Sequence, residues 1–211
     1  MSTSTDKGTN SNPNKIGRWV EFFFDVGSPA SYLAWTQLPA LCAAAGAELA
    51  YCPMLLGGVF QATGNASPAA VAAKGRYTFI DLSRFARRYG VGLRANPHFP
   101  INTLVLMRAV VGVQTHAADR LPAFLAAVFT AIWVDGLNAG DPAVASQLLV
   151  DAGFDPAQVF AWAGEAEVKA ALRSATDEAV ARGVFGAPTM FVNNAMFFGQ
   201  DRLDFVREAL G

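Results

Sequence analysis

The stretch Phe22-Phe23-Phe24-Asp25-Val26-Gly27-Ser28-Pro29-Ala30-Ser31-Tyr32-Leu33 decides how this chain is read. Three apolar aromatics in a row suit a strand covered on both faces. Gly27 offers backbone freedom at a turn. Ser28 is a favoured N-cap, and Pro29 fits the first helical position, where no N–H is needed. The stretch therefore reads as a buried strand, a tight turn and a helix. Ser28 falls at the positive end of that helix, a place suited to an anion.

Working outward, residues 19–25 form the first strand and residues 29–45 the first helix. Leu33, Leu38, Leu41 and Cys42 give the helix an apolar side, Gly46 stops it, and Pro39 predicts a kink. Residues 48–54 read as a second strand, and a helix between two strands predicts a parallel β-α-β unit. Residues 55–68 read as loop with a short helix. Residues 69–90 read as a helix with Tyr77, Ile80, Leu82 and Phe85 as core candidates. After the proline-broken linker Asn96-Pro97-His98-Phe99-Pro100, Asn102 or Thr103 caps a helix running to about residue 113. Residues 121–133 are almost wholly apolar and predict a helix buried all round. Asp141-Pro142 and Asp155-Pro156 open two further helices. Residues 165–182 form a long helix with Glu165 and Lys169 paired at i,i+4. Thr189-Met190-Phe191-Val192 is a short strand, Asn193-Asn194 a hairpin turn, and residues 195–198 its partner. Asp201 caps a last helix.

This order predicts an α/β fold: a thioredoxin-like β-α-β…α-β-β-α domain with an inserted all-helical domain. Residues 18–55 and 164–211 would make the thioredoxin-like domain, residues 56–163 the insertion, and residues 1–17 a disordered N-terminal extension.

Composition narrows the function. The 211 residues are 53% hydrophobic and 16% charged, which marks a globular chain. Sixteen basic and 17 acidic residues leave a net charge of −1, with no electrostatic footprint for nucleic acid or an anionic membrane. The most apolar run, residues 121–134, is shorter than the roughly 20 residues of a spanning helix. Residues 1–17 lack the apolar core of a secretory signal, so the expected compartment is the cytoplasm. Cys42 and Cys52 form no C-x-x-C and read as reduced structural thiols; His98 and His116 are isolated and predict no metal site.

Three segments resemble a known family. They are residues 24–33 with Phe24-Asp25 and Ser28-Pro29; Thr63-Gly64-Asn65 followed by Lys74-Gly75; and Val184-Phe185-Gly186-Ala187-Pro188-Thr189 followed by Phe198-Gly199-Gln200-Asp201. In this order they resemble the 2-hydroxychromene-2-carboxylate isomerases and the kappa-class glutathione transferases, within the thioredoxin-like group. Redox members of that group open the first helix with Cys-x-x-Cys. Here those positions hold Ser28 and Ser31, and serine cannot form a disulfide.

The resemblance implies glutathione as cofactor and Ser28 as the catalytic residue, its hydroxyl donating to the glutathione thiolate. It implies a cis bond before Pro188, with the Ala187 backbone pairing with the cysteinyl part. It places the γ-glutamyl end at Gln200 and Asp201. From the insertion, Asn65 and Lys74 would hold glutathione, Lys74 at the glycyl carboxylate. Some isomerases carry a further lysine a few residues before the Asn65 position; Phe60 and Gln61 stand there instead. Arg108 is a candidate for a substrate carboxylate. The plain readings stay beside these: Ser28 and Asp201 as caps, Pro188 as a strand opener, Lys74 and Arg108 as solvated surface. The implied activity is a glutathione-dependent isomerase acting on a small aromatic carboxylate, 2-hydroxychromene-2-carboxylate, in aromatic catabolism. The alternatives are a conjugating kappa-type transferase and a redox-dead binding protein. A homodimer is implied, with no nucleic-acid or membrane partner.

Overall fold

The structure, a computed structural model, describes residues 18–211; the expected disorder of residues 1–17 lies outside them. A four-stranded sheet runs in the order β2-β1-β3-β4, where β1 is Trp19–Phe24, β2 Glu48–Pro53, β3 Thr189–Val192 and β4 Ala195–Phe198. β1 pairs in parallel with β2, with Phe22 opposite Tyr51, and antiparallel with β3, with Phe22 opposite Met190. Asn193 and Asn194, at φ 49° and 68°, turn β3 into β4, as the twist of a two-residue hairpin requires.

The helices are α1 (Pro29–Ala44), α2 (Leu56–Thr63), α3 (Ala72–Tyr89), α4 (Leu104–His116), α5 (Leu121–Trp133), α6 (Pro142–Asp151), α7 (Pro156–Gly164), α8 (Ala166–Ala181) and α9 (Leu203–Leu210). The observed order matches the predicted thioredoxin-like pattern interrupted by helices. α1 continues through Pro39, which lies on its exposed side.

Alternation along β1 explains the three phenylalanines. Phe22 and Phe24 stack at 5.0 Å on one face. Phe24 meets Phe129 of α5 at 6.1 Å, and Trp35 of α1 meets the same ring at 5.2 Å. One hydrophobic cluster therefore runs from the sheet into the inserted helices. Phe23 points the other way, into a smaller cluster with Met54, Val59, Ala179, Val184 and Phe191. On that side Arg182, just past α8, grips Glu21 of β1 with two bonds of 2.8 and 2.7 Å and lies 4.0 Å from the Phe191 ring.

Three expectations are corrected. α5 is not buried all round: Pro122, Ala123 and Thr130 are exposed, because its bulky residues occupy one side and small ones the other. Tyr77 and Ile80 of α3 are 61% and 53% exposed. They lie five and two residues before Leu82, on the face of the helix turned away from the core. Glu165 does not pair with Lys169. It is the extended N-cap residue of α8, and its carboxylate meets His116 Nε2 at 2.8 Å, while the His116 ring stacks on Trp162.

Candidate active site

The turn after β1 builds the first part of the site. Ser28 caps α1: its Oγ accepts the Ser31 N–H at 3.1 Å, and its own N–H donates to the Asp25 carbonyl at 3.0 Å. The Ser28 hydroxyl donates to the Ala187 carbonyl at 3.1 Å. Gly27 serves differently from expectation. It is not among the residues with positive φ. What it supplies is space: a Cβ there would lie 2.8 Å from Thr103 Cγ2.

That close approach is reinforced by Asp25, which is 2% exposed. Its Oδ1 accepts the Gly27 N–H at 2.8 Å. Its Oδ2 accepts the Leu56 N–H at 2.9 Å and the Thr103 hydroxyl at 3.1 Å. One carboxylate thus joins the Ser28 turn to the starts of α2 and α4. Burial pushes its pKa above the ordinary carboxylate value, while the three donors pull the other way. Thr103 spends its hydroxyl here and caps nothing; Asn102 Oδ1 accepts the Leu104 N–H instead.

Asn65 supplies the second part. Its Nδ2 donates to the Phe185 carbonyl at 2.8 Å, so the inserted region is tied to the segment leading into Ala187. The third part follows β4. The Gly199 N–H donates to the Pro188 carbonyl at 3.0 Å, and the Ala187–Pro188 bond is cis. Gln200 is buried; its carbonyl accepts the Tyr89 hydroxyl at 3.0 Å. Among the described residues, Gln200 Oε1 and Ser31 Oγ are the buried side-chain atoms without a partner.

Residues 185–188 are therefore where Ser28, Asn65 and the turn carrying Gln200 meet. Asp201 lies within that turn and is not a cap. A 3₁₀ turn over Gln200–Arg202 precedes α9, and the Asp201 carboxylate pairs with Arg202 at 2.7 Å. Gly199, at φ 99°, leaves room for it, since a Cβ there would fall 2.5 Å from Asp201 Oδ1. Lys74 is exposed on the first turn of α3 and makes no ion pair among the described residues. A cation at that helix end opposes the dipole and is left available to an anion. Arg108 is half-buried on α4 and bonds to none of these groups.

The sequence offered Thr103 only as a cap and gave neither Asp25 nor Tyr89 a part in the site. The usable signal was Asp25 itself: an acid between a buried strand and a turn must find donors. The cysteines take no part. Burial first of all pushes Cys42 up to about 11 and Cys52 up to about 12, which leaves both as poor nucleophiles at neutral pH.

Chemically, the site offers one hydroxyl at a helix N-terminus, a half-buried carbonyl beside it and an unpartnered amide oxygen close by. The set is thus one hydroxyl that can donate and two oxygens that can accept.

Comparison with known proteins agrees with this frame. Residues 19–211 match the DSBA-like thioredoxin domain, and the chain belongs to that family. The 2-hydroxychromene-2-carboxylate isomerase of Sphingobium xenophagum is 32% identical over 193 residues, covering 90% of this chain and 97% of that one. The Pseudomonas putida isomerase is 32% identical over 198 residues, with coverage of 91% and 94%. Glutathione S-transferase kappa 1 of Rattus norvegicus is 27% identical, with coverage of 92% and 91%. A solved 2-hydroxychromene-2-carboxylate isomerase superposes with a TM-score of 0.81 at 28% identity, covering 92% of this chain and 94% of that one. Within the thioredoxin family the chain is thus a member of the 2-hydroxychromene-2-carboxylate isomerase family, a family of enzymes. Among the described residues, no helix is long and apolar enough to cross a membrane.

Proposed function

We propose that this protein is a glutathione-dependent isomerase that converts 2-hydroxychromene-2-carboxylate to trans-o-hydroxybenzylidenepyruvate. The observation that carries the reading is the Ser28 hydroxyl, set at the N-terminus of α1 and against the Ala187 carbonyl. When bound, glutathione supplies a thiol that can act as the nucleophile and is returned unchanged. Ser28 and the end of α1 favour its ionised form. The Ala187 backbone, next to Pro188, receives the cysteinyl backbone in strand fashion. Gln200 Oε1, unpartnered as it stands, and the Asp201 carboxylate accept from the γ-glutamyl ammonium. Asn65 fixes the neighbouring loop, and Lys74 attracts the glycyl carboxylate. Arg108 is the proposed partner of the substrate carboxylate. Residues 18–55 with 164–211 form the glutathione-binding part, residues 56–163 the inserted part. The resemblance adds a cytoplasmic homodimer working in aromatic catabolism.

A kappa-type transferase is the second reading, favoured by the kappa relatives that match over the same length. One assay separates the two. The protein is incubated with 2-hydroxychromene-2-carboxylate and glutathione, and both product and free thiol are followed. An isomerase gives the benzylidenepyruvate with thiol constant; a transferase consumes thiol as product forms. No product, and no thermal shift with millimolar glutathione, would leave a binding protein without this chemistry.

A further inference from the structure

We propose that Ala187 holds the Ser28 proton in reserve, so that the site activates a thiol only when the ligand brings its own backbone N–H to the Ala187 carbonyl. This rests on the reading of the site as a glutathione site, and it adds a rule about which thiols the site will ionise.

A serine hydroxyl has one proton and two lone pairs. Ser28 Oγ accepts the Ser31 N–H at 3.1 Å, which uses a lone pair. The Ala187 oxygen, also 3.1 Å away, has no proton to give, so the single Ser28 proton points at it. Among the described residues no other donor reaches that oxygen. A thiolate is an acceptor, and Ser28 can serve it only by turning its proton away from Ala187. The turn is a rotation of the hydrogen about the Cβ–Oγ bond. Oγ stays in place, and the bond from Ser31 that caps α1 is kept.

The rotation strands the Ala187 carbonyl. Ala187 is only half-buried, but it lies beside the fully buried Ser31 and the buried Ser28 and Pro188. A ligand that covers Ser28 also shuts water out from this oxygen. An acceptor left without a donor there weakens binding by about tenfold or more. A cysteinyl residue with a free N–H supplies the missing donor. A thiol without such an N–H does not, and its thiolate must compete with Ala187 for one proton. Backbone recognition and thiol ionisation are therefore coupled through Ser28, and the site favours peptide thiols over simple ones.

The experiment compares three ligands on the whole protein: glutathione, the analogue N-methylated at its cysteinyl nitrogen, and S-methylglutathione. Affinity is read by calorimetry, and the thiol titration of the bound ligands by thiolate ultraviolet absorbance. Bound glutathione is expected to ionise at lower pH than free glutathione. The N-methyl analogue is expected to bind about tenfold more weakly, with its thiol titrating close to its free value. Ser28→Ala, which leaves the Ala187 carbonyl open, is expected to bind S-methylglutathione at least as tightly as the wild type. That result also shows the variant to be folded. An N-methyl analogue ionised as readily as glutathione overturns the coupling and leaves the glutathione reading intact. Weaker binding of S-methylglutathione to a Ser28→Ala protein with native circular dichroism overturns it too. Failure of glutathione itself to bind overturns both.

Discussion

The two halves of the site are built differently. The sheet-side half, Ser28 with Ala187, Pro188 and Gln200, is mostly buried, and its members are fixed by bonds of 3.0–3.1 Å. The proposed outer half, Asn65 and Lys74, is exposed, and of these two side chains only Asn65 bonds across, to the Phe185 carbonyl. Buried polar groups must be accounted for one by one, so the inner half has little freedom to be elsewhere. The outer half lies at the solvent-exposed surface, and its proposed part is to add affinity. Chemistry should therefore fail sharply on one side and binding fade gradually on the other.

The largest effect tests the inner half. Ser28→Ala is expected to lower turnover by ~10²-fold, the scale of one lost donor to a developing or full anion. The accompanying loss of the cap should cost about 1 kcal/mol of stability. Steady-state kinetics and urea unfolding on the same preparation check both numbers; unaltered kinetics in a folded variant would remove Ser28 from the chemistry.

Asp25→Asn comes next and tests what holds the halves together. An amide cannot accept from all three donors, so a loss of ~2 kcal/mol is expected. Its pH dependence has a sign. With its pKa raised above 3.8 by burial, native Asp25 keeps a proton that the unfolded chain has released. The wild type thus loses stability as pH rises from that value through the folded one, and the variant does not. The gap between them should narrow over that window. A gap that widens would show that Gly27, Leu56 and Thr103 outweigh burial.

The smallest effects belong to the outer half. Asn65→Ala should weaken glutathione binding about fivefold, as one hydrogen bond does. Lys74→Ala should weaken it about twofold at low salt, with the difference vanishing as salt rises. Equal, salt-independent losses from both would erase the contrast between the two halves.

Much of this was legible in sequence because local chemistry and tertiary fold agree. Ser28-Pro29 encodes a helix start wherever it is placed, and Asn193-Asn194 encodes a tight hairpin. The four strands and most helix limits follow from such signals. What sequence could not supply was direction. Tyr77 and Ile80 are apolar and helical, yet only the placement of α3 says which side faces the core. Asp201 has the composition of a cap, but the 3₁₀ turn starting at Gln200 moves it inside the turn and gives it to Arg202. Gly27 is needed for space and not for its φ, and the side chain that requires the space, Thr103, lies 76 residues away along the chain. Asp25 was visible in the deciding stretch, but its three donors come from three separate places.

The position of β1 has a consequence for biosynthesis. It lies inside the sheet with β2 on one side and β3 on the other, and Glu21 faces Phe191. The ribosome makes β1 early and β3 late. At a synthesis rate of ~5–20 residues per second, one edge of β1 waits roughly ten to thirty seconds for its partner. During that interval a strand of consecutive phenylalanines has open N–H and C=O groups, the arrangement that invites pairing with another nascent chain. Expression yield and inclusion-body formation should therefore respond to translation speed downstream of β1, even where no residue of the finished enzyme is changed.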